Sequence, residues 1–218
     1  MHKLTLNGQW ECRRCGTEQV ISATVPGVVH MDLLRAGLLE DMNWRDNEQK
    51  QQWIAETDWL YSRQFNIEED FFGCQSILLR CEGLDTLADI LVNGQKVLHA
   101  DNMFRTWEVD IKDFLHVGVN RLEVHFYSPV PYMTERQKER SLPCWNSYDP
   151  RYRGKSWLRK MPCSFGWDWG LMAVTCGIWR DISLIGVQRA RITDVAFTQK
   201  HADGKVALDV TTHVTRTK

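Results

Sequence analysis

Apolar and polar residues alternate with a period of two along much of this chain, the pattern of strands that bury one face. In Asn120–Phe126, Leu122, Val124 and Phe126 are apolar and Arg121, Glu123 and His125 between them are polar, which predicts a half-buried antiparallel strand. Asp89–Val92 and Lys96–Leu98 flank Asn93-Gly94. That dipeptide accepts two successive positive φ angles and so predicts a hairpin with a type I′ turn. Ser76–Cys81 reads as a more fully buried strand, and Ile182 with Leu184 marks another near Trp179–Ile185. Helical periodicity is sparse: His30–Ala36 closes on Gly37 as its C′ residue, and Gln49–Ala55 and Thr134–Arg140 carry shorter patterns.

Strands in quick succession with short helical inserts predict an all-β fold, a β-sandwich of the jelly-roll kind. Pro143–Phe165 is rich in Trp, Arg, Lys and Pro without clean periodicity, and reads as a long ordered loop. Beyond Ile185 the register changes. Thr193–Gln199 and Val206–Val214 alternate around an Asp203-Gly204 turn. A lone hairpin is not stable by itself, so this one reads as the opening of a second β-domain. The expected division is a sandwich over 1–187 and the start of a truncated domain over 188–218.

Composition adds a few boundaries. With 43% hydrophobic and 25% charged residues, the 218-residue chain matches a globular protein with a real core. A net charge of −1 gives no electrostatic pull toward nucleic acid or an anionic membrane. No apolar run approaches the ~18 residues of a membrane span, and the N-terminus lacks the apolar core of a signal peptide. No nucleic-acid or membrane partner is expected, and a cytoplasmic location is the default. Seven cysteines, an odd number, argue against a disulfide framework. Ten tryptophans are more unusual, since indoles fill cores but also stack on the apolar faces of sugar rings.

The most informative stretch is Phe165-Gly166-Trp167-Asp168-Trp169-Gly170, in which two indoles flank one carboxylate. In an extended segment Trp167 and Trp169 share a face and Asp168 points away; in a loop they converge. An indole beside a carboxylate suits a sugar, one stacking on the ring and the other accepting charge-assisted hydrogen bonds from hydroxyls. The same residues also fit core tryptophans with an Asp in a turn or salt bridge. Cys12 and Cys15 have the spacing of half a zinc site, but a closed site needs four ligands and no second close pair exists. No metal and no cofactor are expected. His30 has no accompanying nucleophile and is expected to hydrogen-bond locally near a helix start. The basic run Arg151–Lys160 interleaves charge with aromatics, and is expected to hold the Asp168 carboxylate or to dock on a neighbouring domain.

Several stretches, in order, resemble the N-terminal region of β-mannosidases of glycoside hydrolase family two. They include Val25-Pro26-Gly27-Val28-Val29-His30-Met31-Asp32-Leu33-Leu34, Arg45-Asp46-Asn47-Glu48, Asp58-Trp59-Leu60-Tyr61 and Asp85-Thr86-Leu87-Ala88. Asn102-Met103-Phe104-Arg105, Arg159-Lys160, Gly166-Trp167-Asp168-Trp169-Gly170 and Gly177-Ile178-Trp179-Arg180 continue the series, which runs from about Trp10 to about Ile185. The resemblance implies a galactose-binding-like jelly roll, followed in the full protein by an immunoglobulin-like domain and a (β/α)₈ barrel. It further implies that Trp167 and Asp168 bind substrate, reaching the −1 subsite of the barrel of the same chain, with a β-mannoside as the sugar. Leu171-Met172 depart from the Pro-Arg usual in the family, so any contact from that Arg is in doubt.

Members are retaining hydrolases, whose two carboxylates stand roughly 5–5.5 Å apart. Both come from the barrel, so no catalytic residue is assigned here and the fragment alone should be inactive. Asn47-Glu48 imitates the family's acid/base pair but falls in an N-terminal stretch, and is assigned a structural or interdomain role. Two other readings stand beside this one: a stand-alone carbohydrate-binding module, and a purely structural domain of a related β-galactosidase or β-glucuronidase.

Overall fold

A computed structural model describes residues 2–145 and 149–217 of the chain. In chain order the strands are β1 (His2–Thr5), β2 (Gly8–Arg14), β3 (Val20–Val25), β4 (Trp59–Ile67), β5 (Ser76–Cys81), β6 (Leu84–Asp85) and β7 (Ala88–Val92). They continue as β8 (Gln95–Ala100), β9 (Trp107–Asp110), β10 (Gly118–Phe126), β11 (Gly177–Ile178), β12 (Ile182–Val187), β13 (Ala190–Ala202) and β14 (Lys205–Arg216). Among the described residues four α-helices are inserted: α1 (Val29–Arg35), α2 (Asn47–Lys50), α3 (Glu69–Phe72) and α4 (Pro129–Glu139). A four-stranded sheet, β1-β12-β5-β9, and a six-stranded sheet, β3-β2-β4-β10-β7-β8, contribute to one core. All their pairings are antiparallel. This is the all-β sandwich that the alternation predicts.

The pattern acts strand by strand. In β10, Asn120, Leu122, Val124 and Phe126 face inward. Asn120 is the polar member of that row and is fully engaged. It accepts from Asn93 Nδ2 at 2.8 Å and donates to the carbonyls of His116 and Gly118 at 2.7 and 2.9 Å. A buried amide without such partners would cost ~1–3 kcal/mol. β7 and β8 turn at Asn93 (φ 49°) and Gly94 (φ 81°), the two positive angles of a type I′ hairpin. Leu79, Ile90 and Leu184 share one buried core with Trp59, Tyr61 and Phe126. Full burial of an aliphatic or Phe side chain is worth roughly 1.5–3 kcal/mol.

Three elements differ from the reading by periodicity. Gln49–Ala55 splits into α2 and a 3₁₀ turn, Gln52–Ile54. The Thr134–Arg140 helix begins earlier, at Pro129, because the Ser128 side chain caps it and proline suits the first turn. The strand near Trp179–Ile185 is two pieces, β11 and β12, separated by residues 179–181. The Trp179 indole lies so close over Gly83 that a Cβ there would come within 2.5 Å of its Nε1, and that Nε1 donates to the Met103 carbonyl at 3.0 Å.

The hairpin β13–β14 turns at Asp203 (φ 51°) and Gly204 (φ 71°) and stands apart from the sandwich core. Its paired positions Phe197–Val210 and Ile192–Val214 and the nearby Val195, Val206 and Leu208 are all solvent-exposed. It touches the sandwich through Arg191 on Glu108 and through the Thr217 hydroxyl on Gln75 at 2.6 Å.

Candidate functional site

The loop after α4 is built around a second, smaller core of Ala55, Leu87, Met133, Tyr152, Leu158, Phe165 and Val174. Three 3₁₀ turns, Pro150–Tyr152, Lys155–Trp157 and Pro162–Phe165, give it order without periodicity. Residues 146–148 of the loop lie outside the described residues. Gly154 brings the loop against α4: a Cβ there would stand 2.2 Å from the Met133 carbonyl oxygen, so only glycine fits. Phe165 is fully buried and its ring meets that of Tyr152 edge-on, with centroids 5.5 Å apart. Gly166 then takes φ 88°, a left-handed angle that favours glycine, and turns the chain outward.

Beyond Gly166 the backbone closes on itself. Trp167 N–H donates to the Gly170 carbonyl at 3.1 Å and Gly170 N–H returns to the Trp167 carbonyl at 3.3 Å, leaving Asp168 and Trp169 at the tip. The segment is therefore a tight turn and not the extended form in which Asp168 opposes both indoles. Trp169 is 73% exposed and Trp167 37%, and Asp168 is exposed with them. A plain core role for these tryptophans does not describe them. Among the described residues nothing pairs with the Asp168 carboxylate.

Trp167 borders two clefts. One, of ≈ 770 Å³, has Glu48, Gln49, Gln52, Asp149 and Arg151 in its wall; the other, of ≈ 340 Å³, has Trp145, Lys155, Lys160 and Phe165. Polar groups beside an exposed indole can receive a ligand with one apolar face and several hydroxyls.

The basic run does not hold Asp168. Arg151 donates to Asp149 and, at 2.6 Å, to Glu56, and these carboxylates raise its pKa. Lys160 is buried and donates to Asp85 and, at 2.8 Å, to the Thr175 carbonyl. His30 also departs from expectation. It is buried in α1, its Nδ1 finds no partner among the described residues, and burial with the nearby Lys160 charge pushes its pKa down to about 4. The seven cysteines are free thiols, and the described residues hold no group of three or more His, Cys, Asp or Glu able to bind a metal.

Glu48, assigned a structural or interdomain role from the sequence, and Gln52, which the motif reading passed over, grip the far side of the turn. Glu48 Oε1 accepts the Met172 N–H at 2.7 Å. Gln52 Nε2 donates to the Met172 carbonyl at 2.7 Å, and its Oε1 accepts from the Tyr152 hydroxyl at 2.8 Å. The available signal was the i, i+4 spacing of Glu48 and Gln52, which places two planar polar groups on one side of a helical turn. Their partner, 120 or more residues away, had no signal.

Residues 10–180 match the family described as glycosyl hydrolase 2 galactose-binding domain-like. The β-mannosidase of Bos taurus is 35% identical over 201 residues, 89% of this chain and 23% of that protein. β-Mannosidase B of Emericella nidulans is 36% identical over 179 residues, 82% of this chain and 21% of that protein. The crystal structure of the β-D-mannosidase of Dictyoglomus thermophilum superposes with a TM-score of 0.90 at 36% identity, over 98% of this chain and 26% of that one. The chain thus spans about a quarter of the length of these relatives. Agreement of sequence and of fold extends over nearly the whole sandwich, and the chain belongs to the glycosyl hydrolase 2 galactose-binding-like domain family.

Proposed function

We propose that this chain is the N-terminal part of a retaining β-mannosidase that removes terminal β-D-mannose residues, and that Trp167 and Asp168 complete its −1 subsite. The observation that carries the reading is the Trp167–Gly170 turn, which lifts two indoles and a carboxylate without a partner among the described residues out of a tightly packed loop. A carboxylate with no partner among the described residues keeps its hydrogen-bonding capacity for hydroxyls. Supporting it, relatives named β-mannosidase align with this chain over most of its length. On this reading 1–187 is the sugar-facing domain. Residues 188–218 open an immunoglobulin-like domain whose remaining strands cover the apolar face of the hairpin, and the catalytic carboxylates lie in a barrel further along.

Asp168→Ala in the full-length protein tests the reading. Removing a hydrogen bond to a charged group costs roughly 1.5–3 kcal/mol, which corresponds to a kcat/KM on an aryl β-mannoside lower by about one to two orders of magnitude. The loss should come without a change in the thermal unfolding midpoint, because the side chain is exposed. An unchanged kcat/KM in a folded variant would remove the substrate role. Unfolding would make Asp168 a structural residue.

A further inference from the structure

The turn that carries Asp168 is anchored from both ends by one connected set of side chains. Upstream, Phe165 is buried against the ring of Tyr152. Downstream, both backbone polar groups of Met172 are taken, the N–H by Glu48 and the carbonyl by Gln52. Gln52 closes the set, since it also receives the Tyr152 hydroxyl and donates to the Glu48 carbonyl at 2.7 Å. Within it, the Glu48 side chain reaches the loop through its Oε1, which accepts the Met172 N–H.

We infer that Glu48 is a positioning residue for Asp168, acting through its grip on Met172. The inference rests on the proposed role of Asp168 at the sugar. Asp168 has no bond of its own among the described residues, so only the backbone of the turn sets where its carboxylate stands. Glu48 is not needed to hold its own segment in place. Its neighbours do that: Asn47 donates to the Asp41 carbonyl at 2.9 Å and Gln51 to the Glu40 carbonyl at 2.8 Å. Its side chain instead reaches across the ≈ 770 Å³ cleft wall to the loop. At Met172 the grip uses only backbone atoms and is indifferent to the side chain.

Three substitutions at one position separate reach from charge. Glu48→Gln keeps a carbonyl oxygen at the same reach, Glu48→Asp keeps the charge but is one methylene shorter, and Glu48→Ala keeps neither. In the full-length protein, kcat/KM on an aryl β-mannoside should fall about tenfold for Glu48→Ala and Glu48→Asp and recover most of that loss in Glu48→Gln, since misplacing a contact by ~1 Å can cost up to 10²-fold. In an Asp168→Ala background, Glu48→Ala should cost little more, because the two act through one path. In the 218-residue chain, the Met172 amide should exchange with solvent faster in Glu48→Ala than in Glu48→Gln.

The opposite ranking, with Asp active and Gln impaired, would mean that Glu48 acts by its charge and would overturn the positioning role. So would fully additive losses in the double variant, or an unaffected Glu48→Ala beside an impaired Asp168→Ala. If Asp168→Ala itself were unimpaired, the proposed function would fail and this role with it. Should Glu48→Ala not fold, the Asp and Gln pair carries the comparison.

Discussion

At the scale of single residues, burial decides chemistry that residue type alone leaves open. His30 has the side chain of a ligand or a base, yet it is buried, with the Lys160 charge near it and Asp85 taking that charge as a partner. Its folded pKa of about 4 lies below the ordinary value of 6.5, so the unfolded chain takes up the proton first as pH falls. The stabilisation from neutral His30 is therefore complete above about pH 6.5 and drains away as pH falls through 4. Between pH 7 and 5 this amounts to about 2 kcal/mol. Urea unfolding of the native chain and of His30→Leu at both pH values checks it. The native chain should lose more stability on acidification by about that amount, and parallel losses would refute the linkage.

Among elements, the sandwich strands and the β13–β14 hairpin obey the same alternation with different outcomes. In β10 the apolar row meets the opposite sheet, whereas in the hairpin Ile192, Phe197, Leu208 and Val210 meet solvent. The hairpin's attachments are the Arg191–Glu108 pair and the Thr217 contact, of the partly exposed kind worth about 0–1 kcal/mol each. Deleting residues 189–218 should thus shift the unfolding free energy of the sandwich by no more than about 1–2 kcal/mol. In the intact chain, trypsin should cut first at Lys200 or Lys205, before the sandwich opens. A chain that loses its cooperative unfolding on this deletion would show the hairpin to be part of the sandwich.

For the whole molecule, the fold supplies a rigid platform that carries one short reactive-looking turn at its surface. Retaining glycosidases need two carboxylates roughly 5–5.5 Å apart across the scissile bond, and the proposed division of labour puts both outside this chain. The purified 218-residue chain should accordingly release no product from an aryl β-mannoside. Turnover that rises in proportion to its concentration and survives further purification would contradict that division.

The sequence by itself determined the class of fold, because a period of two with Asn-Gly and Asp-Gly turns has one low-energy solution, half-buried strands joined by hairpins. Ser76–Cys81 is one strand in both readings, and Gly37 closes α1 with φ 70°. Other strands escaped the pattern. In β4 the inward row of Trp59, Tyr61, Phe65 and Ile67 is broken by Arg63, whose guanidinium donates to the carbonyls of Leu6 and Asn7 at 2.9 and 2.6 Å. Local composition singled out Trp167 and Asp168, but it left a core-and-turn role open, and their sugar-binding role comes from the family resemblance and stands as a proposal. Which carboxylates Arg151 and Lys160 hold, and that Glu48 and Gln52 grip Met172, were decided only in the tertiary structure. Hydrogen bonds between residues more than a hundred positions apart depend on where the packed core brings two loops together, and no local pattern in the chain encodes that meeting.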